Sequence, residues 1–160
     1  MKIIAILIAI AVALTGGAIA ANRVPLTDPP GLVKRLVTYL TRNTARTSPD
    51  HELPELRTRV YALPPDRAFH LTLRAVESAG WRVVDRDPGA DEIHAVVTTP
   101  WLRFRDDVNI ALTEAPDGGT RVEVESRSRL GRADFGANIA HVMELYGRLD
   151  ALARAEIGEY

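Results

Sequence analysis

Polar chemistry in this chain concentrates in one run, Arg127-Ser128-Arg129-Leu130-Gly131-Arg132-Ala133-Asp134. Arginine forks form paired, charge-assisted hydrogen bonds with carboxylates and phosphates. Arg127, Arg129 and Arg132 beside a helix N-terminus, whose free N–H groups favour negative charge, could therefore bind an anion or an acidic partner. Ser128 and Asn138 would add neutral donors. Asp106, Asp107 and Asp134 argue the other way, because each could consume those donors in a structural pair. The candidate binding set is thus Asp106, Asp107, Arg127, Ser128, Arg129, Arg132, Asp134 and Asn138, with the structural use of these residues the favoured reading.

Other chemistries find less support. The histidines, His51, His70, His94 and His141, are scattered, with neither the HExxH nor the H-x-H spacing of a metal site. His70 and His141 fall on helical patterns and read as surface residues. The chain lacks cysteine, which removes thiol nucleophiles, disulfides and iron–sulfur ligation. No nucleophile elbow or phosphate-cradling glycine loop is present. Asp106 and Asp107 make a poor catalytic dyad, because neighbours on a strand face opposite ways. No catalytic residue, metal or cofactor is assigned. Lysine and arginine total 20 against 21 acidic residues, a net charge of -1, whereas a nucleic-acid footprint is basic; nucleic acid is not an expected partner. Trp81 and Trp101 read as core or rim aromatics.

The elements that carry the candidate set are a strand and a helix. From Thr120, even positions are Thr, Val, Val, Ser, Ser and Leu130, and odd positions are charged. A period of two marks a strand with one buried face. Its buried face turns to hydroxyls at Ser126 and Ser128, which need partners, so something polar should lie beneath. The preceding strand, Phe104–Thr113, buries Val108, Ile110 and Leu112. Parity across the Ala115–Gly119 hairpin then points Asp106 inward near Ser128, and Asp107 outward toward Arg127 or Arg129. Gly131 breaks the strand and Asp134 is placed to cap the next helix. Phe135, Ile139, Val142, Met143, Tyr146, Leu149 and Leu152 form its apolar stripe. Gly147, costly inside a helix, suggests a close backbone approach there.

Upstream, Leu56–Leu63 reads as a first strand. Pro64-Pro65-Asp66 opens a helix with Phe69, Leu73 and Val76 on its apolar side, closed at Ala79-Gly80. Trp81–Asp85 and Ile93–Thr99 are further strands, the latter stopped by Pro100. The order β-α-β-β-β-β-α predicts an α+β fold, a curved antiparallel sheet of about five strands with two helices on one face. An N-terminal hydrophobic helix precedes it.

Lys2 is followed by nineteen uncharged residues, Ile3 to Ala21, enough at ~1.5 Å per residue to match a bilayer's apolar core. Two readings stand level. Ala18-Ile19-Ala20 could be the cleavage site of a signal peptide, or the helix could remain as an anchor. Arg23, Lys34 and Arg35 after the segment outnumber Lys2 before it, which by the positive-inside rule would leave the domain in the cytoplasm. Export is favoured all the same, giving a cell-envelope domain outside the cytoplasm, with the membrane as partner through residues 1–21 and an envelope protein or lipid as a further one. Residues 22–54 read as a proline-rich linker bearing a short amphipathic basic helix around Leu32–Leu40, and Asn43–Pro54 as a loop. Residues 55–160 read as a single domain.

Phe104-Arg105-Asp106-Asp107-Val108, the hairpin glycines, Arg127 to Asp134 and Gly136-Ala137-Asn138 resemble the motifs of the family called domain of unknown function 1499. The resemblance covers about Thr58 to Leu152. It implies a small domain, often behind a signal or membrane segment, and brings no established activity. Three functions follow as expectations: a non-enzymatic binding or structural domain of the envelope; a carrier for an apolar or amphipathic ligand, needing a cavity lined by Val108, Val122 and Ile139; and a hydrolase or transferase, needing Asp106 and the arginines in an open cleft.

Overall fold

A computed structural model describes residues 1–99, 103–116 and 118–158. Pro100 and Trp101, named above as a strand end and an aromatic, and Asp117 within the Ala115–Gly119 hairpin lie outside the described residues. The elements run α1 (Lys2–Ala21), α2 (Leu32–Thr41), β1 (Thr44–Arg46), a single 3-10 turn (Pro54–Leu56), β2 (Arg59–Tyr61), α3 (Pro65–Ser78), β3 (Arg82–Asp87), β4 (Glu92–Thr98), β5 (Arg105–Glu114), β6 (Thr120–Ser128) and α4 (Ala137–Gly158). The fold is α+β, as expected, around an open antiparallel sheet of six strands rather than five.

Strand order is β1-β6-β5-β4-β3, with β2 also on β6. β1 pairs with the end of β6, Ala45 opposite Ser126, and β2 with its start, Tyr61 opposite Thr120. The two short strands therefore share one edge of β6 end to end. β1 lies in the stretch expected to be a loop, and the Leu56–Leu63 strand shrinks to Arg59–Tyr61 behind the 3-10 turn. Three residues are too few to show an alternation, so neither boundary could be read from periodicity.

Burial in β5 and β6 alternates strictly, and the inward residues Val108, Ile110, Leu112, Val122 and Val124 meet α3 and α4 in one core. The α4 stripe is buried at Ile139, Val142, Tyr146 and Leu149, with Leu145 and Ala153 beside it. Tyr146 Oη donates to the Val122 carbonyl at 2.8 Å. Leu130, expected on the inner face, is exposed, because β6 ends at Ser128. Gly119 is obligatory: at φ 84°, a Cβ would lie 2.4 Å from the Tyr61 carbonyl oxygen, so any side chain would drive β2 off β6. Gly147 has no such neighbour, since nothing lies within 4 Å of an ideal Cβ; the expected close backbone approach is absent.

Residues 22–54 are folded onto the sheet and α4 rather than forming a free spacer. The face that α2 turns inward is Arg35 and Tyr39, both wholly buried. Arg35 holds Glu55 through both carboxylate oxygens at 2.5 and 3.1 Å. It also donates to the carbonyls of Pro25, Asp28 and Pro29 and to Tyr39 Oη. A buried charge persists only when paired and hydrogen-bonded, and here one guanidinium gathers the loop, α2 and the 3-10 turn. Glu55 holds Arg35 still more firmly in its charged form.

Candidate functional site

The hairpin register places Asp106 opposite Ser128 and Asp107 opposite Arg127. Alternation then separates the candidate residues into two groups on opposite faces of the sheet.

Inside, Asp106 is 2% exposed. Beneath it, where the two serines called for a polar partner, lies Asn138 from the first turn of α4. Ser126 Oγ donates to Asn138 Oδ1 at 2.6 Å. The two Nδ2 hydrogens of Asn138 are shared among three acceptors, Ser128 Oγ at 2.9 Å, the Asn43 carbonyl at 2.8 Å and Asp134 Oδ2 at 2.5 Å. Asp134 also accepts from the backbone N–H groups of Gly136 and Asn138 at 2.8 and 3.2 Å. The Ala137 N–H goes to the Asp134 carbonyl at 3.0 Å, so with that of Asn138 the first donors of α4, which an anion would need, are already engaged.

His141, expected at the surface, belongs to this buried network. It is 9% exposed, its Nδ1 is 3.2 Å from Ser126 Oγ and 3.9 Å from Asp106 Oδ2, and Trp81 packs edge-on against its ring. Burial lowers its pKa to about 4, so the ring is neutral. The one proton of Ser126 goes to Asn138, so Ser126 accepts from the Nδ1–H of His141. Serine, histidine and aspartate thus meet, but in the wrong order for nucleophilic catalysis. A relay sets its carboxylate on one ring nitrogen and its serine on the other, whereas here both face Nδ1. Burial also raises the pKa of Asp106, against the hydrogen bond from Ser128, and that of Asp134, against its several donors. The cleft in which Asp106 would meet a substrate, as the hydrolase or transferase reading requires, is closed by α4.

On the outer face, Asp107 pairs with Arg129 at 2.8 and 2.6 Å and accepts from His94 Nε2 at 3.1 Å. Arg129, then His94, lower the pKa of Asp107. Arg127, its strand partner, makes no bond to it among the described residues, and Arg132 stands apart in the exposed turn. The three arginines therefore do not converge. Val108 and Val122 have no accessible surface and Ile139 almost none, so side chains fill the space that a carrier's cavity would need.

Two grooves open elsewhere. One, of about 420 Å³, crosses the outer face past Arg46, Arg86, His94, Asn109 and Glu125. The other, of about 870 Å³, lies where the end of α1 meets the end of β4 and α4, and His141 forms part of its wall. Among the described residues, no group of three or more His, Asp or Glu is placed to hold a metal.

The sequence pattern of a known family matches residues 26–149. The chain belongs to that family, Protein of unknown function (DUF1499). The match begins before α2, well ahead of Thr58, and takes in the Arg35 clamp. The DUF1499 motifs fall on both sides of the sheet: Asp106, Ser128, Asp134 and Asn138 in the buried network, Asp107 and Arg129 in the outer pair. No curated protein matches. Among solved structures, TTHA0849 from Thermus thermophilus is similar over 71% of this chain and 98% of its own, at 16% identity and a TM-score of 0.42.

Proposed function

We propose that this is a non-enzymatic domain of the cell envelope, held on the outer side of the membrane by an uncleaved α1. The observation that carries the reading is the way α1 divides along its length. Ile3, Ile4, Ile6, Leu7, Ile8, Ile10, Val12 and Leu14 are all exposed, a continuous apolar surface that a soluble protein would not leave to water. Ile19, in the last turn, is 5% exposed and part of the domain core. Asn22 donates to the Phe135 carbonyl at 3.0 Å and Val24 packs on Gly136. Cleavage after Ala20 would remove a core side chain, so retention as an anchor suits the packing better than a signal peptide.

The outward face of α2 supports the same reading. Leu32, Val33, Val37 and Leu40 are exposed while Arg35 and Tyr39 turn inward, the reverse of a water-facing helix. An aliphatic face beginning some ten residues after the span suits the boundary between headgroups and acyl chains.

Intact mass of the protein recovered from carbonate-washed membranes tests the anchor. A species that includes Lys2–Ala21 is expected; a mature chain beginning after Ala20, or recovery in the soluble fraction, would overturn it.

A further inference from the structure

We infer that the larger groove, at the junction of α1, β4 and α4, is a binding site for the phosphate headgroup of an anionic phospholipid. This rests on the anchoring of the chain through α1. Arg23, Arg82, Arg103 and Arg105 line the groove, against a single acid among the described residues, Glu144. Glu144 is engaged by Arg148 on its own helix at 2.8 Å. All four arginines are exposed, and among the described residues none makes a side-chain hydrogen bond or ion pair. This contrasts with Arg35, Arg59 and Arg129, each of which has a carboxylate. Unpaired guanidinium groups converging on a concavity fit phosphate oxygens in shape and in charge.

The backbone gives an independent sign. Arg23 and Arg103 sit at φ 51° and 52°, the left-handed region that L residues other than Asn and Asp rarely adopt. At Arg23 this is the turn that ends α1, its N–H reaching the Ala20 carbonyl at 3.1 Å; Arg103 has no helix to end, and strained positions of that kind collect at ligand sites, with glycine the relaxed choice at either. Long basic side chains held there favour a role for the side chain over one for the fold. The source of the phosphate follows from position. Ala21, Asn22 and Arg23, the last residue of the span and the first beyond it, form one wall. The groove therefore opens where the chain leaves the bilayer, at headgroup depth, and anionic headgroups attract basic side chains placed there.

The test uses the full chain in nanodiscs holding equal amounts of phosphatidylcholine and phosphatidylglycerol, with the lipids that remain bound identified by native mass spectrometry. Wild type should retain phosphatidylglycerol with several-fold enrichment, and a variant combining Arg103→Gly with Arg105→Gln should lose it. Arg103→Gly relaxes the backbone, so an unchanged or higher melting temperature would separate lost binding from misfolding. A variant combining Arg127→Gln with Arg132→Gln, exposed arginines outside the groove, should keep the enrichment. Equal retention of the two lipids by wild type and variant would overturn the headgroup site while leaving the anchor intact. Displacement of the lipid by inorganic phosphate would overturn it in favour of a soluble anion. Failure of the chain to enter nanodiscs of phosphatidylcholine alone would overturn the anchor and this site together.

Discussion

Asp106 is buried with no cation beside it: its neighbours are the hydroxyl of Ser128, the neutral ring of His141 and the like charge of Asp107. Burial raises its folded pKa, so the cost of ionising it appears as pH rises through that range, and stability from this group is greatest in acid. Asp106→Asn keeps the shape and removes the charge. Thermal melts should give a higher melting temperature for the variant at neutral pH and a shrinking difference on acidification; an unchanged melting temperature would mean the carboxylate is not enclosed. His141 has the opposite sign. Its pKa falls from about 6.5 unfolded to about 4 folded, so its contribution is complete above the unfolded value and is lost as pH drops toward 4. The shift corresponds to roughly 3 kcal/mol at ~1.4 kcal/mol per pH unit. Asp106 on β5, 3.9 Å away, and Glu144 on α4 are the acids that act on the ring, and Arg82 and Arg105 line the same groove. Chemical denaturation between pH 7 and 4 should find wild type losing stability faster than His141→Gln. The inward turn of Asp106 is readable from hairpin parity alone. The burial of His141 is not, because its helical position is set by which turn of α4 lies under Ser126, a tertiary fact.

Helix α4 shows how far an element's own pattern reaches. Its apolar stripe and its Asp134 cap follow from spacing and residue type, and both stand in the structure. Gly147, by contrast, suggests a backbone contact that is absent. An exposed glycine inside a helix with open space around it is only a propensity cost, so Gly147→Ala should stabilise the fold by about 0.5–1 kcal/mol in urea titrations. Helix α2 fails the pattern in the other direction. Leu32, Val33, Val37 and Leu40 face out while Arg35 faces in and Leu36 packs beside it, so periodicity locates the helix without saying which side packs; what decides the matter is Glu55, twenty residues away from Arg35. Removing one member of a buried pair leaves the other uncompensated, so Arg35→Ala should destabilise by roughly 3–5 kcal/mol. The double variant of Arg35→Met with Glu55→Gln should recover much of that loss in the same titrations.

At the scale of the whole molecule, the anchor proposed above would divide α1 between two environments, and its residues separate them. Ile8 is exposed near the middle of the span and touches no part of the domain core. An arginine there costs about 2.5–3.5 kcal/mol of insertion, so Ile8→Arg should shift the chain from the membrane to the soluble fraction while the domain keeps its melting temperature. Ile19 is the converse. It is buried in the core, and Ile19→Ala removes packed methyl groups at a cost of roughly 2–5 kcal/mol, yet alanine leaves the span apolar. Membrane fractionation of Ile19→Ala should therefore match wild type while its domain melts earlier. A cleaved signal peptide predicts otherwise for both, because a chain that has lost α1 would show neither the membrane loss of Ile8→Arg nor the earlier melting of Ile19→Ala in its mature form. The two substitutions, scored on the two assays, tell an anchor docked on its own domain from a leader that is discarded.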